Sequence, residues 1–370
     1  MKVGTVKEVK KHEYRIGLTP SNVREYVANG HEVFVQAGAG AGSHLSDEEY
    51  VQAGATILPT AKDVWEKCDM IVKVKEPLAE EYDLMQEDQI IYTFLHLAAD
   101  KPLTDALLAK KTKAVAYETI RDKTGGLPLL KPMSEVAGKL SIQAGARSLE
   151  KPQGGSGVLL GGVPGVAKAN VVIIGGGVVG ISAMKMAIGL GANVTILDRD
   201  LNRLSYLDDI WGQKIQTMYS TEYNIEKALA EADLVVGAVL IPGAAAPKLI
   251  KREHLKKMKP GSVIVDVAVD QGGCAETTKA TYHDTPTFVV DGVVHYCVAN
   301  MPGAVSQTST FALTNATLNY GIKIANMGLE AAVKSDGYLL PGVNCYKGKL
   351  TCEEVARDFG MEYTDLSTLL

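Results

Sequence analysis

Three glycines and one acid near the middle of the chain have the spacing of a nucleotide-binding turn. Gly175, Gly177 and Gly180 fit the pattern G-x-G-x-x-G, and Asp198 follows later in the same stretch. Glycine at these places allows a tight turn, close approach of a pyrophosphate to the backbone, and close packing of a helix on a strand. An acid beyond the helix would bond ribose hydroxyls and repel a 2′-phosphate. The pattern therefore predicts a site for NAD rather than NADP.

The residues around these glycines supply the elements that the motif needs. Val171 to Ile174 is a β-branched run that suits a buried parallel strand, an apolar helix follows Gly177, and a second strand ends at Asp198. The N-terminus of that helix offers N–H groups and a positive dipole end to phosphates. The alternative is an ordinary turn between strand and helix, with Asp198 as a capping residue. Because the strand, the helix, the second strand and the acid are all present, the dinucleotide-binding interpretation is favoured.

A lysine at the end of an apolar run is the first candidate for substrate chemistry. The run from Met70 to Lys75 predicts a strand, and ligands of open α/β sheets lie beyond the carboxyl ends of strands. A cation there could hold a carboxylate or polarise a carbonyl. Two alternatives stay open. Lys75 could be a surface lysine before the turn at Glu76-Pro77, or Lys73, two residues earlier on the same face, could have the role.

A histidine is the second candidate. His96 follows the predicted strand Gln89 to Leu95, and it alone of the seven histidines directly follows an apolar strand in the first half of the chain. An imidazole suits proton exchange with an amine or a hydroxyl near neutral pH. The alternative is a core histidine whose ring nitrogens are satisfied by hydrogen bonds.

An arginine and an aspartate complete the candidates. Arg15 precedes a predicted helix that begins at Pro20, and its guanidinium could fork onto a substrate carboxylate. A surface ion pair is the alternative for this arginine. Asp270 ends the apolar run Ser262 to Asp270 in the nucleotide-binding half. An acid at that end of a strand is either a capping residue or part of the site.

The elements that position these residues alternate between strand-like and helix-like patterns. This alternation predicts an α/β protein with two Rossmann-like, doubly wound parallel sheets and an active site in the cleft between two domains. We expect a discontinuous substrate domain at 1–130 and 306–370, because the last residues are too few for a third domain. The NAD-binding domain is expected at 131–305, and Ser134 is a candidate N-cap of its first helix.

Composition narrows the class of protein. Of the 370 residues, 46% are hydrophobic, which is typical of a soluble globular chain. The net charge of −5 does not indicate the excess of basic residues that binds nucleic acid. The five cysteines are scattered without C-x-x-C pairs, so buried or free thiols are favoured over zinc or disulfides. Neither a signal peptide nor an apolar run long enough for a membrane span is apparent. We therefore expect a cytoplasmic protein without a metal.

Several segments together resemble one enzyme family. They are KEVKKHEYRIGLTP, VKVKEP, TFLHLAAD, KPMSEVAG, GGVPGV, the glycine motif with its acid, DVAVDQGG and ANMPGAVSQTST. In this combination, over the whole chain, the sequence resembles the bacterial alanine dehydrogenases of the alanine dehydrogenase/transhydrogenase α-subunit family. The resemblance implies reversible oxidative deamination of L-alanine with NAD, which yields pyruvate, ammonium and NADH. It also implies a homohexamer.

The same resemblance implies roles for particular residues. Arg15 and Lys75 would bind the substrate, His96 would be the general acid/base, and Asp270 would assist at the reacting centre. The cofactor contacts that it implies, together with those of the glycine motif, are Ser134, Gly175, Gly177, Val178, Gly180, Asp198, Arg203, Ser220, Val239, Leu240, Val267, Ala268, Val269, Asp270, Lys279, Val298, Ala299, Asn300 and Met301. Lys279 follows no predicted strand, so its role depends on the resemblance alone.

Two other functions have a similar two-domain plan. One is a related dehydrogenase acting on a larger amino acid, such as a lysine-forming saccharopine dehydrogenase. The other is the NAD-binding subunit of a proton-translocating transhydrogenase, which would act only with membrane partners. Initial rates with alanine and with saccharopine distinguish the first, and turnover of alanine by the purified chain alone distinguishes the second.

Overall fold

The structure is a computed structural model that describes residues 1–239 and 246–370. Contacts divide the chain into two compact units, one formed by 1–133 with 303–370 and the other by 134–302. The domain limits expected from the sequence, at 130/131 and 305/306, stay a prediction. Each unit contains one sheet, described separately below.

The first segment of the first unit alternates short strands with helices. Its strands are β1 (Lys2–Thr5), β2 (Glu32–Gln36), β3 (Thr56–Leu58), β4 (Met70–Val72), β5 (Ile90–Thr93) and β6 (Lys113–Ala116). Its helices are α1 (Pro20–Ala28), α2 (Asp47–Gln52), α3 (Ala61–Lys67) and α4 (Lys101–Ala109). Side chains at the residue before each helix, for example Ser46 before α2 and Thr60 before α3, accept a backbone N–H of the first turn and so fix where the helix begins.

The second unit follows along the chain. The long helix α5 (Lys131–Ser148) leads to the strands β7 (Asn170–Ile174), β8 (Asn193–Asp198), β9 (Gln216–Tyr219), β10 (Leu234–Gly237), β11 (Val263–Asp266), β12 (Thr287–Val290) and β13 (Val293–Tyr296). The helices between them are α6 (Val178–Gly189), α7 (Leu201–Trp211), α8 (Glu222–Glu231) and α9 (Arg252–Leu255). A hairpin joins β12 to β13 at Asp291-Gly292, where both turn residues have positive φ, as in the type I′ turns that favour Asp-Gly.

The C-terminal segment returns to the first unit. It contains α10 (Ser306–Met327), α11 (Leu329–Ser335), β14 (Val343–Tyr346), β15 (Lys349–Leu350) and α12 (Glu353–Phe359). Strand β14 pairs antiparallel with β6 and extends the sheet, whose order is β15-β14-β6-β5-β4-β1-β2-β3. The second sheet has the order β12-β13-β11-β10-β7-β8-β9 and is parallel except for β12. The expected α/β class with helices on both sides of each sheet is confirmed, but both sheets are mixed rather than wholly parallel.

Apolar residues of the parallel strands form the two cores. In the first unit Ile71 and Ile91, on neighbouring strands, pack with Trp65 of α3. In the second unit Val172 and Val235 pack with Ile225 of α8. Burial of such side chains stabilises each unit by roughly 1.5–3 kcal/mol per residue. Strands buried in this way are held in a fixed register, which in turn fixes where their ends lie.

The register of each sheet brings several strand ends to one edge. In the first unit Val72 is paired with Tyr92, which is paired with Val115, so the residues that follow β4, β5 and β6 share an edge. In the second unit Ile174 is paired with Gly237, and Gly237 with Asp266. The carboxyl ends of β7, β10 and β11 are therefore neighbours. Both edges are where ligands of open α/β sheets bind.

The expectations about membrane-spanning segments and about cysteines can be compared with the structure. Among residues 1–239 and 246–370, no helix combines the length and apolar character needed to cross a bilayer. All five cysteines are buried with free thiols, as the sequence predicts.

Candidate functional site

The glycine turn of the second unit has the steric form that its sequence predicts. Gly175 has a φ of 110°, and a Cβ on it would lie 2.6 Å from the carbonyl oxygen of Ala238. A Cβ on Gly180 would lie 1.8 Å from the carbonyl oxygen of Gly175, so helix α6 packs directly on the turn. Only glycine fits at either place.

Gly177 is different, because its surroundings are open. It is the N-cap of α6, and a Cβ built on it would meet no atom within 4 Å among the residues described. A helix N-terminus with open space beside a glycine has the form of a phosphate cradle. Val178, the first residue of α6, is partly exposed at this end. The binding role of both residues stays a prediction.

Asp198 lies beside the turn. It is the last residue of β8, as predicted, and its Oδ2 accepts the N–H of Gly176 at 2.6 Å while its Oδ1 accepts the N–H of Asp200 at 2.8 Å. The carboxylate is thus oriented by the backbone and closes the turn. This structural role is the one that the alternative interpretation from sequence assigned to Asp198, that of a capping residue. Arg203 also approaches the turn, since its Cγ would lie 3.1 Å from a Cβ on Gly176.

Several predicted cofactor contacts follow strand ends at the same edge. Ser220 directly follows β9 and donates its N–H to the carbonyl of Asp198 at 2.9 Å. Val239 lies two residues after β10, and Val267 directly follows β11, with Ala268 and Val269 next to it. Leu240 lies outside the described residues.

Two positional expectations are wrong. Ser134 is not an N-cap, because α5 begins at Lys131 and Ser134 lies inside its first turn. Asp270 does not end a strand: β11 ends at Asp266, and Asp270 is an exposed residue in the short 3-10 turn Val269–Gln271.

The buried carboxylate of Asp266 explains the early end of β11. Its oxygens accept the N–H groups of Ala268, Cys274 and Ala275 at 3.1, 2.8 and 3.3 Å, and the hydroxyl of Thr278 also donates to it. These bonds draw the chain out of the strand direction. The loop that carries Asp270 is therefore organised by Asp266, which the sequence did not single out.

The remaining cofactor candidates lie on loops of the second unit. Lys279 is exposed, and its position follows no strand, as expected. Ala299 donates its N–H to the carbonyl of Thr281 at 3.0 Å, beside the paired residue Val298. Asn300 has a φ of 62°, and Met301 is buried.

In the first unit Arg15 is buried and ion-paired. Its Nε and Nη2 donate to the two carboxylate oxygens of Glu13 at 2.7 and 2.6 Å, and its Nη1 lies 3.0 Å from the sulfur of Met133. The alternative of a surface ion pair is wrong, because both charged groups lie in the interior. A buried guanidinium held by a bidentate partner is a rigid anchor.

The two lysines after β4 differ in their surroundings. The strand ends at Val72, so the predicted strand to Lys75 is too long. The ammonium of Lys73 is fully buried between Glu81 Oε1 at 2.8 Å and Glu8 Oε2 at 3.1 Å. Burial acts to lower the pKa of Lys73, but these two carboxylates raise it above its ordinary value. Lys73 is therefore held as an internal cation.

Lys75 lies nearer the surface, with 8% of the residue exposed. Its N–H is 3.3 Å from Glu8 Oε1, and its carbonyl accepts the hydroxyl of Thr93 at 2.9 Å, which fixes its backbone against β5. The alternative of an ordinary surface lysine is wrong. Lys73 is enclosed by two carboxylates, whereas Lys75 lies nearer the surface, and the choice between them as the substrate-binding cation stays a prediction.

His96 has an unusual backbone and an accessible ring. Its φ of 50° and ψ of 37° lie in the left-handed region, which residues other than glycine seldom adopt. Glu118, after β6, accepts the N–H of His96 at 2.6 Å and that of Leu95 at 3.1 Å. The His96 side chain is 40% exposed, so the alternative of a core histidine is wrong.

A carboxylate beside the ring completes this group. His96 Nδ1 lies 3.3 Å from Oε2 of the buried Glu76, whose Oε1 lies 2.5 Å from Lys10 Nζ. Burial acts to raise the pKa of the Glu76 carboxyl, but His96, Lys75 and Lys10 together hold it well below its usual range. The first unit thus presents an accessible imidazole beside an ionised carboxylate, with the buried Lys75 next to that carboxylate.

Five acids of the first unit were missed by the reasoning from sequence. Each contacts a predicted residue or its competitor, and they are Glu8, Glu13, Glu76, Glu81 and Glu118. Glu76 and Glu118 follow β4 and β6 closely, so the rule about carboxyl ends of strands could have found them. Glu8 lies three residues after the end of β1 and fits the same rule, whereas Glu13 and Glu81 follow no strand end and could be identified only from the tertiary structure.

One group of the described residues has side chains close enough to ligate a metal, namely Glu222, Glu253 and His254. Lys251 already occupies it: its ammonium pairs with Glu222, and its backbone N–H lies 3.2 Å from His254 Nδ1. We therefore assign no metal to this group.

Comparison with protein families accounts for nearly the whole chain. Residues 4–137 match the family model described as alanine dehydrogenase/PNT, N-terminal domain, and residues 141–353 match its C-terminal domain. A curated alanine dehydrogenase of Halomonas elongata is 55% identical over the full length of both chains. One of Methanococcus maripaludis is 56% identical over 98% of both chains.

Solved structures agree with this. A structure titled L-alanine dehydrogenase has a TM-score of 0.94 and 54% identity, and the match covers 97% of this chain and 99% of the other. A transhydrogenase from Sinorhizobium meliloti has a TM-score of 0.82 but only 24% identity, over 95% of this chain and 99% of the other. The second match shows the fold alone.

Proposed function

The chain belongs to the alanine dehydrogenase/PNT family and is an oxidoreductase acting on alanine, and we propose that NAD is its electron acceptor. The products of the proposed reaction are pyruvate, ammonium and NADH. Identity above 50% to alanine dehydrogenases over essentially the full chain supports the substrate. The open glycine turn beside Asp198 supports the cofactor.

The second unit fits a dinucleotide by its own geometry. The turn from Gly175 to Gly180 would hold the pyrophosphate at the N-terminus of α6, where Gly177 leaves space, and Asp198 would bind the adenine ribose. NAD, when bound, accepts a hydride from the substrate carbon. We retain the other predicted contacts, including Asp270 as an assisting acid, as part of this proposal.

The first unit would bind the amino acid and move protons. Arg15 and Lys75 would hold the substrate carboxylate and the oxygen next to it. Loss of hydride leaves an iminium on the substrate, water adds to its carbon, and the carbinolamine collapses to pyruvate and ammonium. His96 would take the proton of the attacking water and return one to the leaving amine. The ammonium of Lys75 would stabilise the negative charge that develops on oxygen.

The two alternative functions receive no comparable support. The relatives named above are alanine dehydrogenases throughout, whereas the transhydrogenase resembles this chain in fold only. Oligomeric state and compartment are further proposals. We propose a homohexamer in the cytoplasm, as the family resemblance implies. Light scattering of the purified chain tests the assembly.

One assay decides the proposed reaction. The purified chain is given L-alanine with NAD, and NADH is followed by its absorbance, with NADP and saccharopine in parallel reactions. We expect NADH to form only from alanine with NAD. No turnover of alanine would overturn the proposal, and turnover of saccharopine instead would favour the first alternative.

Asp198→Ala is expected to weaken NAD binding about tenfold or more and to admit NADP, because the 2′-phosphate no longer meets a carboxylate. The measurement is the ratio of kcat/KM for the two cofactors. Loss of the bond to the Gly176 N–H could distort the turn, so Asp198→Asn is the matched control. Asparagine keeps an acceptor for that bond but loses the charge. If neither variant changes cofactor preference, the ribose contact is wrong.

A further inference from the structure

We propose that Glu76 is a positioning residue for His96. Its carboxylate holds the imidazole with the proton on Nδ1, so that Nε2 is the nitrogen presented to the substrate. This inference depends on the proposed function, in which His96 exchanges protons with the substrate.

One carboxylate oxygen of Glu76 is an acceptor for which the described residues provide no well-directed donor. The residue is 7% exposed, and Lys10 binds Oε1. The other oxygen, Oε2, is buried and accepts no well-directed hydrogen bond from the residues that the structure describes. His96 Nδ1 lies 3.3 Å from it. Leaving a buried carboxylate oxygen unsatisfied is costly, so a small rotation of the ring toward Oε2 is favoured.

The charge of Glu76 decides which ring nitrogen has the proton. The flanking cations Lys10 and Lys75 favour the ionised carboxylate, and an ionised carboxylate can only accept hydrogen bonds. The nitrogen that faces it must therefore be a donor. Since a neutral imidazole has one N–H, Nε2 is left as the acceptor, which is the form that a general base requires.

Because Glu118 holds the backbone of His96, what remains to be oriented is its ring. Glu118 fixes the N–H groups of Leu95 and His96, and the ring of Phe94 lies 5.7 Å from the imidazole at an angle of 34°. Neither group bonds a ring nitrogen. Glu76 faces Nδ1 and Glu118 faces the backbone, while Lys10 and Lys75 act on His96 through Glu76. Glu76 is thus the carboxylate that sets the ring.

The consequence for the reaction is electrostatic. When Nε2 takes a proton from the attacking water, the imidazole becomes a cation, and the negative carboxylate at Nδ1 stabilises it. The proton later leaves from Nε2 to the departing amine, while the proton on Nδ1 stays in place. Glu76 remains ionised throughout. This is the role that an orienting carboxylate has beside a general base.

Glu76→Gln is the variant that tests this role. It removes the charge and keeps the size, and we expect kcat with alanine to fall about 30- to 100-fold while KM for alanine and NAD changes less than about threefold. The midpoint of the acid limb of the kcat/KM profile should move to lower pH by about one pH unit, because the carboxylate no longer stabilises the protonated ring. Glu80→Gln is the matched control, since Glu80 is exposed in the same segment. It should leave all these values unchanged.

A merely structural role predicts something else. It would lower activity together with the melting temperature, raise both KM values and leave the pH midpoint unmoved, and that result would overturn the proposal. Glu76→Asp keeps the charge and covers the case in which the glutamine variant folds poorly. It should lower kcat less than Glu76→Gln and keep the original midpoint. A midpoint shifted as far in Glu76→Asp as in Glu76→Gln would also overturn it.

A double-mutant cycle separates this inference from the proposed function. If Glu76 acts through His96, the losses in Glu76→Gln and His96→Ala combine to much less than their product. Losses that multiply show that Glu76 acts independently and overturn the inference alone. Near-normal turnover in His96→Ala would instead overturn the role of His96 in the proposed function.

Discussion

His96→Ala is expected to abolish alanine turnover while leaving NADH binding close to normal. In the proposed function the exposed imidazole exchanges protons with the substrate, and general acid–base catalysis contributes about 10²- to 10⁴-fold to a rate. The predicted dinucleotide turn lies in the second unit and contains no part of this residue. Steady-state rates with alanine and NAD, together with NADH fluorescence titration, measure the two effects separately.

A matched variant controls for the strained backbone of His96. His44 is also exposed and has a φ of 58°, close to the 50° of His96, but it belongs to no predicted site. His44→Ala should therefore have a similar backbone cost and normal turnover. Loss of NADH binding in a well-folded His96→Ala protein would contradict the proposed division of roles.

Lys75→Ala should reduce turnover about 10²- to 10³-fold or more, the second large effect. Removal of the ammonium takes away the charge that would stabilise oxygen in the transition state, and such groups are worth that much in rate. The stability of the fold should change little, because Glu8 keeps its contacts with the backbone N–H of Val74 and with Lys73. Rates at saturating NAD and a thermal melt are the measurements.

Lys73→Ala is the informative comparison, and its expected defect is in folding. It would leave Glu8 and Glu81 buried without their cation, and breaking a buried ion pair costs about 3–5 kcal/mol. Urea unfolding of the two variants should therefore differ clearly. Near-normal turnover in Lys75→Ala would move the substrate role to Lys73.

The parts of the fold that could be predicted were those with local signals. The turn after β7 and the acid at the end of β8 each have a short pattern with its own steric reason. The residues at which strands end were harder to predict. The runs ending at Lys75 and Asp270 alternate like strands, yet both strands end earlier because acids capture the backbone. Glu8 accepts the N–H of Val74, and Asp266 accepts those beyond β11.

The site was predictable to a similar degree. Lys75 and His96 were proposed because they follow predicted strands, and parallel strands place their ends together. The acids that contact the backbone of Lys75 and His96 were not found, since these contacts join residues distant in the chain, although Glu13 lies only two residues from Arg15. Glu118 lies 22 residues from His96, and Glu8 lies 66 residues from Val74. No periodicity in one sequence encodes such a pairing, which arises only when the register of the sheet is set.

The pairing of β14 with β6 has a consequence for synthesis of the chain. The ribosome makes β6 by residue 116, but its antiparallel neighbour begins only at residue 343. At about 5–20 residues per second, β6 therefore waits roughly 10–45 s with one edge uncovered. All of 134–302 emerges in that interval, so the unit that is made second is the first whose residues are complete. An uncovered edge can pair with other chains, and β6 is where we expect nascent chains to need protection.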